Sequence, residues 1–323
     1  MQLRFHSKTM GYLPDYQGHL PHLLGNSKSE RKHMALKGYR TLVQRDTKLT
    51  SGPLGILRNI YLADCLAQWV QNQDLSEVKR LAFISAKAKR MGHQYVPGGG
   101  LAYGFYSAFE VLLSDHEEMI HWYAWHVLPA IHGSKGRLQN YLQPSKAEFH
   151  AFNCRLALLG EFDWLDERSD KALMDGVKLK AGKSYRFDFL FFKALVSGDK
   201  NAMEENIQAL LKGRVAYTRN KESTFGLQNK LVSSWGFMLA KIAYRHGFEL
   251  DIDSPWLPME WLPVKPVDNY LSGIEFIDDF DLFTPFYEND RYYSNGIEMS
   301  PKGLGTEQVS FRKWIESVQY LYP

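Results

Sequence analysis

The feature that most constrains the fold of this chain is a helical spacing of apolar residues that recurs along most of its length. Between residues 57 and 70, apolar side chains recur at intervals of three and four, and the polar stretch 71–74 ends the run. A second run with the same spacing covers residues 75–86. Side chains at such intervals share one face of an α-helix, and that face must be buried. We therefore predict two packed helices, with Asp74 or Ser76 as the N-cap of the second.

The same arrangement of two apolar runs around a short polar break recurs three more times, with breaks at 114–115, 160–163 and 197–199. The last two units align at an offset of 37 residues. Two matched units leave two alternatives open, repeat-like stacking of helical hairpins or an ordinary helical bundle. Both alternatives predict an all-α fold. A further amphipathic helix is expected over residues 227–246, ended by Gly247.

The sequence changes character after this helix. Residues 251–270 hold four prolines interleaved with two tryptophans, and helices rarely continue through such spacing, because proline lacks the backbone N–H and clashes with the preceding turn. We expect an extended strap that lies on the helical body. An acidic segment follows over residues 275–290, and a final amphipathic helix is expected from about residue 307 to residue 320.

These patterns predict one compact unit with three parts. The N-terminal part, residues 1–27, is rich in aromatic residues and histidine without a clear period and is expected to be irregular. A helical-hairpin body covers residues 28–250. The C-terminal part, residues 251–323, holds the strap, the acidic segment and the last helix, packed on the body.

Charge is distributed unevenly along the chain. The formal net charge is +3, which does not indicate a nucleic-acid partner. Residues 1–48 carry nine basic and three acidic side chains, whereas residues 251–290 carry one basic and ten acidic side chains. No recognised nucleic-acid-binding module accompanies the basic stretch, so we expect no such partner.

The expected cellular compartment of the protein and the redox state of its cysteines are inferred from two features that the sequence does not contain: long apolar stretches and closely spaced cysteines. No apolar stretch has the length of a signal peptide core or of a membrane span, so we expect a cytoplasmic protein without a membrane partner. Cys65 and Cys154 share no close spacing, which argues against a disulfide scaffold or a structural zinc site. Both fall on apolar helix faces, where cysteine is more often a small core residue than a nucleophile.

Three short motifs resemble chemical sites but depart from the required spacing. His116 and His121 are five residues apart, whereas the zinc-protease motif needs four. The stretch 182–184 ends like a phosphate-binding loop, but the upstream glycine is misplaced. The glycines of 97–100 lack the spacing of a dinucleotide site. We therefore predict no catalytic residues, no cofactor and no metal; an enzyme with an unrecognised site among His93, His116 and His121 is the least favoured hypothesis.

The acidic segment is the strongest candidate for a functional surface because it interleaves carboxylates with aromatic rings. Aromatic anchors with a charged surround are typical of a protein interface, and negative potential speeds capture of a basic partner. The alternative is an acidic surface packed back on the protein's own basic body. The residues predicted to contact a partner are Glu275, Asp278, Asp279, Phe280, Asp281 and Phe283.

From residue 149 onward the chain resembles the immunity protein 49 family of bacterial polymorphic-toxin systems. The passages that carry the likeness are 191–199, 209–211, 235–244, 246–253, 254–258 and 260–263. The resemblance implies a cytoplasmic all-α protein that binds and blocks a cognate toxin, without catalytic residues or cofactors. Many such toxins are nucleases with basic clefts, which an acidic aromatic strip would fit as a phosphate mimic. The main alternative is a helical-repeat adaptor for an unrelated protein.

Overall fold

The computed structural model describes residues 13–44, 51–93, 108–125, 143–144, 147–174, 185–221 and 226–283. Within these ranges the regular structure is helical and no β-strand is present, which confirms the all-α prediction. None of these helices is long and apolar enough to cross a membrane. In chain order they are α1 (Tyr16–Asn26), α2 (Ser29–Gln44), α3 (Ser51–Asn72), α4 (Leu75–His93), α5 (Phe109–Ser114), α6 (Glu117–Trp125), α7 (Ala147–Leu159), α8 (Phe162–Met174), α9 (Arg186–Ser197), α10 (Lys200–Leu210), α11 (Gly213–Asn220), α12 (Ser234–Arg245) and α13 (Glu275–Asp278).

The helix pairs expected from the apolar spacing are present, and their polar breaks act as caps. Helices α3 and α4 pack against each other, as do α9 and α10. The Asp74 carboxylate accepts the backbone N–H groups of Ser76 and Glu77 at 3.1 and 3.2 Å, so this residue caps α4 as predicted. Asp199 caps α10 in the same way, by accepting the N–H of Ala202 at 3.0 Å. The choice between repeat-like stacking and a bundle stays a prediction.

The N-terminal part contains more regular structure than its sequence indicates. Residues 1–27 were expected to be irregular, but α1 lies within them and is capped by Asp15, which accepts the N–H of Gly18 at 2.9 Å. Both α1 and α2 pack on α3. The helical period is hidden because His19 occupies a buried position, where its Nε2 lies 2.8 Å from the carbonyl oxygen of Leu227. Residues 1–12 lie outside the described ranges.

One further boundary and one further helix differ from the sequence prediction. The helix expected over residues 227–246 begins at Ser234, because Ser233 caps it and donates its own N–H to the carbonyl oxygen of Trp256 at 2.8 Å. The expected end is confirmed, since Gly247 has a φ of +84°, in the left-handed region that favours glycine. Helix α11 was not predicted. The helix expected over residues 307–320 lies outside the described residues.

Residues 251–270, here called the proline-rich segment, contain no α-helix; their only helical turn is a 3-10 turn at Met259–Trp261. The ring of Trp261 packs among Trp69, Phe109 and Phe237, with centroid distances between 5.3 and 6.2 Å. Trp256 is buried as well. Because aromatic rings in this edge-on arrangement add to the stability of a core, the two tryptophans anchor the segment in the hydrophobic core, while Asp253, Glu260 and Lys265 are exposed.

Candidate partner-binding site

The acidic segment predicted as a partner surface is described from Glu275 to Phe283, and its remaining residues, 284–290, lie outside the described ranges. It begins with the single turn α13 and continues without regular structure. Two apolar side chains, Ile277 and Leu282, are buried and fasten the segment to the core. The polar side chains between them therefore have defined positions.

Four basic residues of α4 hold the chain that leads into and through this segment. Each of these side chains donates to a backbone carbonyl oxygen. The contacts are Lys79 Nζ to Lys265 O (2.7 Å), Arg80 Nη1 to Leu271 O (2.5 Å), Lys87 Nζ to Asp278 O (2.9 Å) and Arg90 Nε to Leu282 O (3.0 Å). Because these donors bind carbonyl oxygens, the contacts fix the backbone of the described part of the segment without using its carboxylates.

Asp278 has a different role from the other acidic residues of the segment. Its two carboxylate oxygens accept the backbone N–H groups of Ser272 and Gly273, at 2.7 and 3.0 Å. The side chain is half-buried. Asp278 therefore stabilises the turn that precedes α13, and its carboxylate is already occupied.

The other acidic residues in the described part of the segment, Glu275, Asp279 and Asp281, are exposed. Asp281 accepts the N–H of Phe283 through one oxygen at 2.9 Å, which leaves the second oxygen outside this local turn. Burial lowers the pKa of Lys87, while Asp278, Asp279 and Asp281 act in the opposite direction. The segment thus lies against the basic body, as one of the two sequence interpretations expected, and also presents carboxylates to solvent.

The aromatic residues of the segment are half-buried against the core. Phe276 stacks on Tyr39 of α2 with ring centroids 4.2 Å apart. The Arg90 guanidinium lies 5.3 Å from the ring of Phe280, and the ring of Phe283 lies 6.5 Å from His121. Each ring keeps an exposed portion, so Phe280 and Phe283 stay candidates for partner contact.

A buried ionic cluster centred on Asp115 fixes the proline-rich segment upstream of the acidic segment. Asp115 separates α5 from α6 and has a φ of +56°, in the left-handed region that few non-glycine residues occupy. Lys79 of α4 and Lys241 of α12 each place Nζ 2.7 Å from one of its carboxylate oxygens. All three side chains are at most 2% exposed. The sequence pattern indicates only that Asp115 lies in a polar break between two helices, and it does not indicate the buried cluster.

The two lysines extend this cluster to the backbone of the proline-rich segment. Lys241 Nζ donates to the carbonyl oxygens of Trp261 and Pro263 at 2.9 and 3.0 Å. The N–H of Lys265 donates to the Asp115 carboxylate at 3.2 Å. Burial lowers the pKa of Lys241 to about 8, against the opposing effect of Asp115. Three separate parts of the chain are joined at this one carboxylate.

A second buried polar cluster, not identified from the sequence, lies between α7, α9 and α11. His150 Nε2 and Arg219 Nη2 lie 2.8 and 2.7 Å from the same oxygen of Asp188. Burial opposes ionisation of Asp188, but Arg219 and His150 outweigh it and lower the pKa of that carboxyl group. The three side chains are at most 1% exposed, so no substrate reaches them, and the cluster joins three helices.

The histidines of the rejected metal motif have separate neighbours. The ring of His116 stacks on Phe83 at 4.2 Å, and its Nδ1 accepts the N–H of Met119 at 3.2 Å. Within the described ranges no three His, Cys, Asp or Glu side chains are placed to share a metal ion. The side chain of His93 and the stretches 97–100 and 182–184 lie outside the described residues.

The two cysteines lie in the core. Cys65 and Cys154 are both buried, and burial raises the pKa of each thiol far above its ordinary value. Cys65 Sγ donates to the carbonyl oxygen of Val78 at 3.3 Å, across the α3–α4 contact. A thiol that is buried and protonated is a poor nucleophile, in agreement with the expected packing role.

Part of the chain matches the model of a known protein family. The family model described as immunity protein 49 matches residues 111–261. The match confirms the sequence resemblance and extends it upstream of residue 149, through α5 and Asp115. Members of this family are typically inhibitors without enzymatic activity. No curated protein and no solved structure matches the chain.

The matched range divides the molecule into two regions. It contains Asp115, Lys241 and the His150 cluster, in which charges are paired internally. Helices α1–α4 and the acidic segment lie outside it. The exposed carboxylates of the acidic segment therefore belong to the part of the chain that the family pattern does not describe.

Proposed function

We propose that this chain acts in the cytoplasm as an immunity protein, which binds a cognate bacterial toxin in a stoichiometric complex and thereby blocks it. The observation that carries the proposal is the match of residues 111–261 to the immunity protein 49 family. Inhibition of this kind needs a rigid scaffold and an interface. It does not require the protein to make or break a covalent bond.

We place the toxin-binding surface on the acidic segment, at Glu275, Asp278, Asp279, Phe280, Asp281 and Phe283. The exposed carboxylates of Glu275, Asp279 and Asp281 would pair with lysine and arginine side chains of the toxin. The exposed edges of Phe280 and Phe283 would supply apolar contact beside them. Asp278 would act indirectly, by stabilising the turn that presents its neighbours.

The way in which the segment is held supports this assignment. Association loses free energy whenever an interface must be ordered on binding. Here the buried Ile277 and Leu282 and the carbonyl contacts of Lys87 and Arg90 order the segment beforehand. The acidic side chains are thus arranged before the partner arrives, as an inhibitor that must capture its target quickly requires.

A basic partner surface follows from the charge of the segment, and a nuclease is the type of toxin that best fits it. A nuclease cleft binds phosphate groups through lysine and arginine side chains. A row of carboxylates at fixed spacing offers the same negative charge to that cleft. On this basis the inhibitor would exclude the nucleic acid by occupying its binding site.

The proposal is tested with the product of the gene that lies directly beside this one. The neighbouring gene is expressed from an inducible promoter in a bacterial host, with and without this chain, and growth is measured. We expect growth arrest with the neighbour alone, restored growth on co-expression, and a complex of defined stoichiometry by size-exclusion chromatography with light scattering.

Two other outcomes would contradict neutralisation. Continued arrest on co-expression, with both proteins present and folded, would overturn it. A stable complex without protection of growth would favour the adaptor hypothesis instead. An empty plasmid and a plasmid that encodes an unrelated helical protein serve as controls for expression load.

A further inference from the structure

A groove of about 320 Å³ opens beside the acidic segment, in the part of the molecule outside the matched range. It lies between α1–α4 and Ser272, the residue whose N–H binds Asp278. The volume is at the lower end of the range for ligand sites. Its lining includes Leu24, Lys32, Tyr61, Asp64, Glu77 and Arg80.

The Tyr61 hydroxyl is an unsatisfied polar group within this lining. Tyr61 is 2% exposed, and its hydroxyl is buried without a hydrogen-bond partner in the described part of the chain. A buried hydroxyl without a partner costs free energy. Such a group calls for an explanation, and a water molecule or a ligand group can complete its hydrogen bonding.

Asp64 places a carboxylate in the same groove. Its side chain is half-buried, and burial raises the pKa of its carboxyl group, while Ser27 and Lys32 partly offset that effect. No ion pair to Asp64 is formed within the described ranges. The groove therefore holds a partly desolvated carboxylate whose charge a closer cation would stabilise.

The cations already present do not supply that contact. Arg80 is held by Glu77 at 2.6 and 2.7 Å and by the carbonyl oxygen of Leu271. The Lys32 ammonium group lies 4.6 Å from the centre of the Tyr61 ring, without an ion pair among the described residues. The Lys32 ammonium group thus occupies the position of a cation over the aromatic ring.

We propose that this groove receives an arginine side chain of the toxin, whose guanidinium group lies between Asp64 and the ring and hydroxyl of Tyr61, in the place of the Lys32 ammonium group. The proposal rests on the immunity function and specifies it, because it names one contact of the partner. The arginine would enter beside the exposed carboxylates of the acidic segment, so that both parts of the surface select a basic partner.

The chemistry of the lining favours a guanidinium group over the alternatives. A guanidinium stacks on an aromatic ring and donates several parallel hydrogen bonds, and it is less strongly hydrated than an ammonium group. Asp64 and the Tyr61 oxygen both accept hydrogen bonds. A carboxylate in the same place would face Asp64 and Glu77 at close range, which like-charge repulsion disfavours. Leu24, which lines the groove, is 42% exposed and offers contact for an aliphatic stem.

The experiment measures the affinity of the neighbouring gene product for the unmodified protein and for three variants by calorimetry. Asp64→Asn removes the charge without changing the shape, and we expect about tenfold weaker binding. Tyr61→Phe removes only the hydroxyl and should weaken binding by a smaller factor. Lys32→Met removes the competing cation and should leave binding unchanged or tighten it. Glu30→Gln, which removes an exposed carboxylate of α2, is the matched control and should have no effect.

The variants respond in opposite directions to the two possible charges of the occupant. Weaker binding of Lys32→Met together with unchanged binding of Asp64→Asn would mean that an anionic side chain occupies the groove, and would overturn the proposal. Unchanged binding of all three variants would mean that the groove does not take part. Urea unfolding of each variant separates a loss of binding from a loss of structure.

A second measurement separates this inference from the proposed function. N-acetyl-L-arginine amide is titrated into the unmodified protein, and ring signals of labelled tyrosine are followed by NMR. We expect saturable shifts of the Tyr61 signals that Asp64→Asn abolishes, and none with N-acetyl-L-glutamine amide. Arginine binding without toxin binding would overturn the immunity function alone; toxin binding without any response of the groove variants would overturn the groove assignment alone.

Discussion

The buried clusters of the matched region and the acidic segment use carboxylates in opposite ways. Asp115 and Asp188 are buried, and each carboxylate lies between two basic side chains. Glu275, Asp279 and Asp281 are exposed, although basic residues lie close by. A buried carboxylate that lost its partners would destabilise the fold, whereas an exposed one can change its partner at little cost.

Helix α4 shows how this difference arises at the junction of the two regions. Its Lys79 pairs with a carboxylate, Asp115, and also donates to a backbone carbonyl. Further along the same helix, Lys87 and Arg90 donate to carbonyl oxygens of the acidic segment. A carbonyl contact fixes the backbone without neutralising side chains. Charge alone therefore does not identify a partner surface. The groups to which the basic residues donate must also be known.

The largest expected effect is that of Asp115→Asn. Asparagine keeps the size of the side chain and tolerates a positive φ, but it leaves Lys79 and Lys241 buried without a full counter-charge. We expect the free energy of unfolding to fall by about 3–5 kcal/mol, measured by urea denaturation. Asp253→Asn, at an exposed position of the matched region, is the control and should change it by less than about 0.5 kcal/mol. Equal effects of the two substitutions would mean that burial does not decide how much a carboxylate contributes to stability, and the comparison would lose its basis.

The second test reverses charge in the acidic segment. Substitution of Glu275, Asp279 and Asp281 by lysine should slow association with the toxin by roughly 10- to 100-fold at low salt, because electrostatic attraction governs the encounter. Stopped-flow kinetics at two salt concentrations measures it. The control reverses Glu249, Asp251 and Asp253, which are also exposed, so the net charge changes equally. If both triple variants associate at the same rate, the toxin does not bind at the segment.

Much of the fold could be predicted because the spacing of apolar residues indicates directly which helix faces are buried. The runs around the break at 71–74 gave α3 and α4, and Asp74 gave the cap. Helix α1 was missed because His19 fills a core position through a hydrogen bond to Leu227. The start of α12 was placed too early because residues 227–231 continue an apolar pattern, while the contact between Ser233 and Trp256 ends it.

Less of the candidate site could be predicted. Sequence composition located the acidic segment, but Asp278 and Asp279 are both aspartates and the sequence does not show that their roles differ. Their difference depends on a turn that brings the N–H groups of Ser272 and Gly273 to one carboxylate. In the same way, the role of Asp115 depends on lysines from α4 and α12, which are far apart in sequence. The groove at Tyr61 depends on contacts between α1–α4 that no local pattern specifies.

A third, smaller effect should separate two neighbouring aspartates. Asp278→Ala removes an acceptor of two backbone hydrogen bonds, and we expect a loss of about 1–2 kcal/mol in the free energy of unfolding. Asp279→Ala, at an exposed position, should cost less than about 0.5 kcal/mol. Chemical denaturation measures both. Similar values would mean that the turn does not depend on Asp278, and its proposed indirect role would be lost.

The smallest expected effect concerns pH and helix α1, which lies outside the matched range. Burial lowers the pKa of His19, although its hydrogen bond to Leu227 acts in the opposite direction. When the pH falls below about 6.5, the ordinary pKa of histidine, the unfolded chain binds a proton that the folded chain resists. The contribution of His19 is therefore fully present above that pH and is lost as the pH falls toward the folded-state pKa.

His19→Gln keeps a donor for the Leu227 carbonyl oxygen but cannot titrate. The free energy of unfolding of this variant should therefore fall less between pH 7 and pH 5 than that of the unmodified protein, as urea denaturation at both values would show. Burial also lowers the pKa values of His116 and His121, so the variant should retain part of the dependence. Identical slopes would mean that α1 leaves the body before the rest unfolds, because His19 would then titrate as a solvated side chain. In that case the groove lined by Leu24 of α1 would open at low pH while the matched region stayed folded.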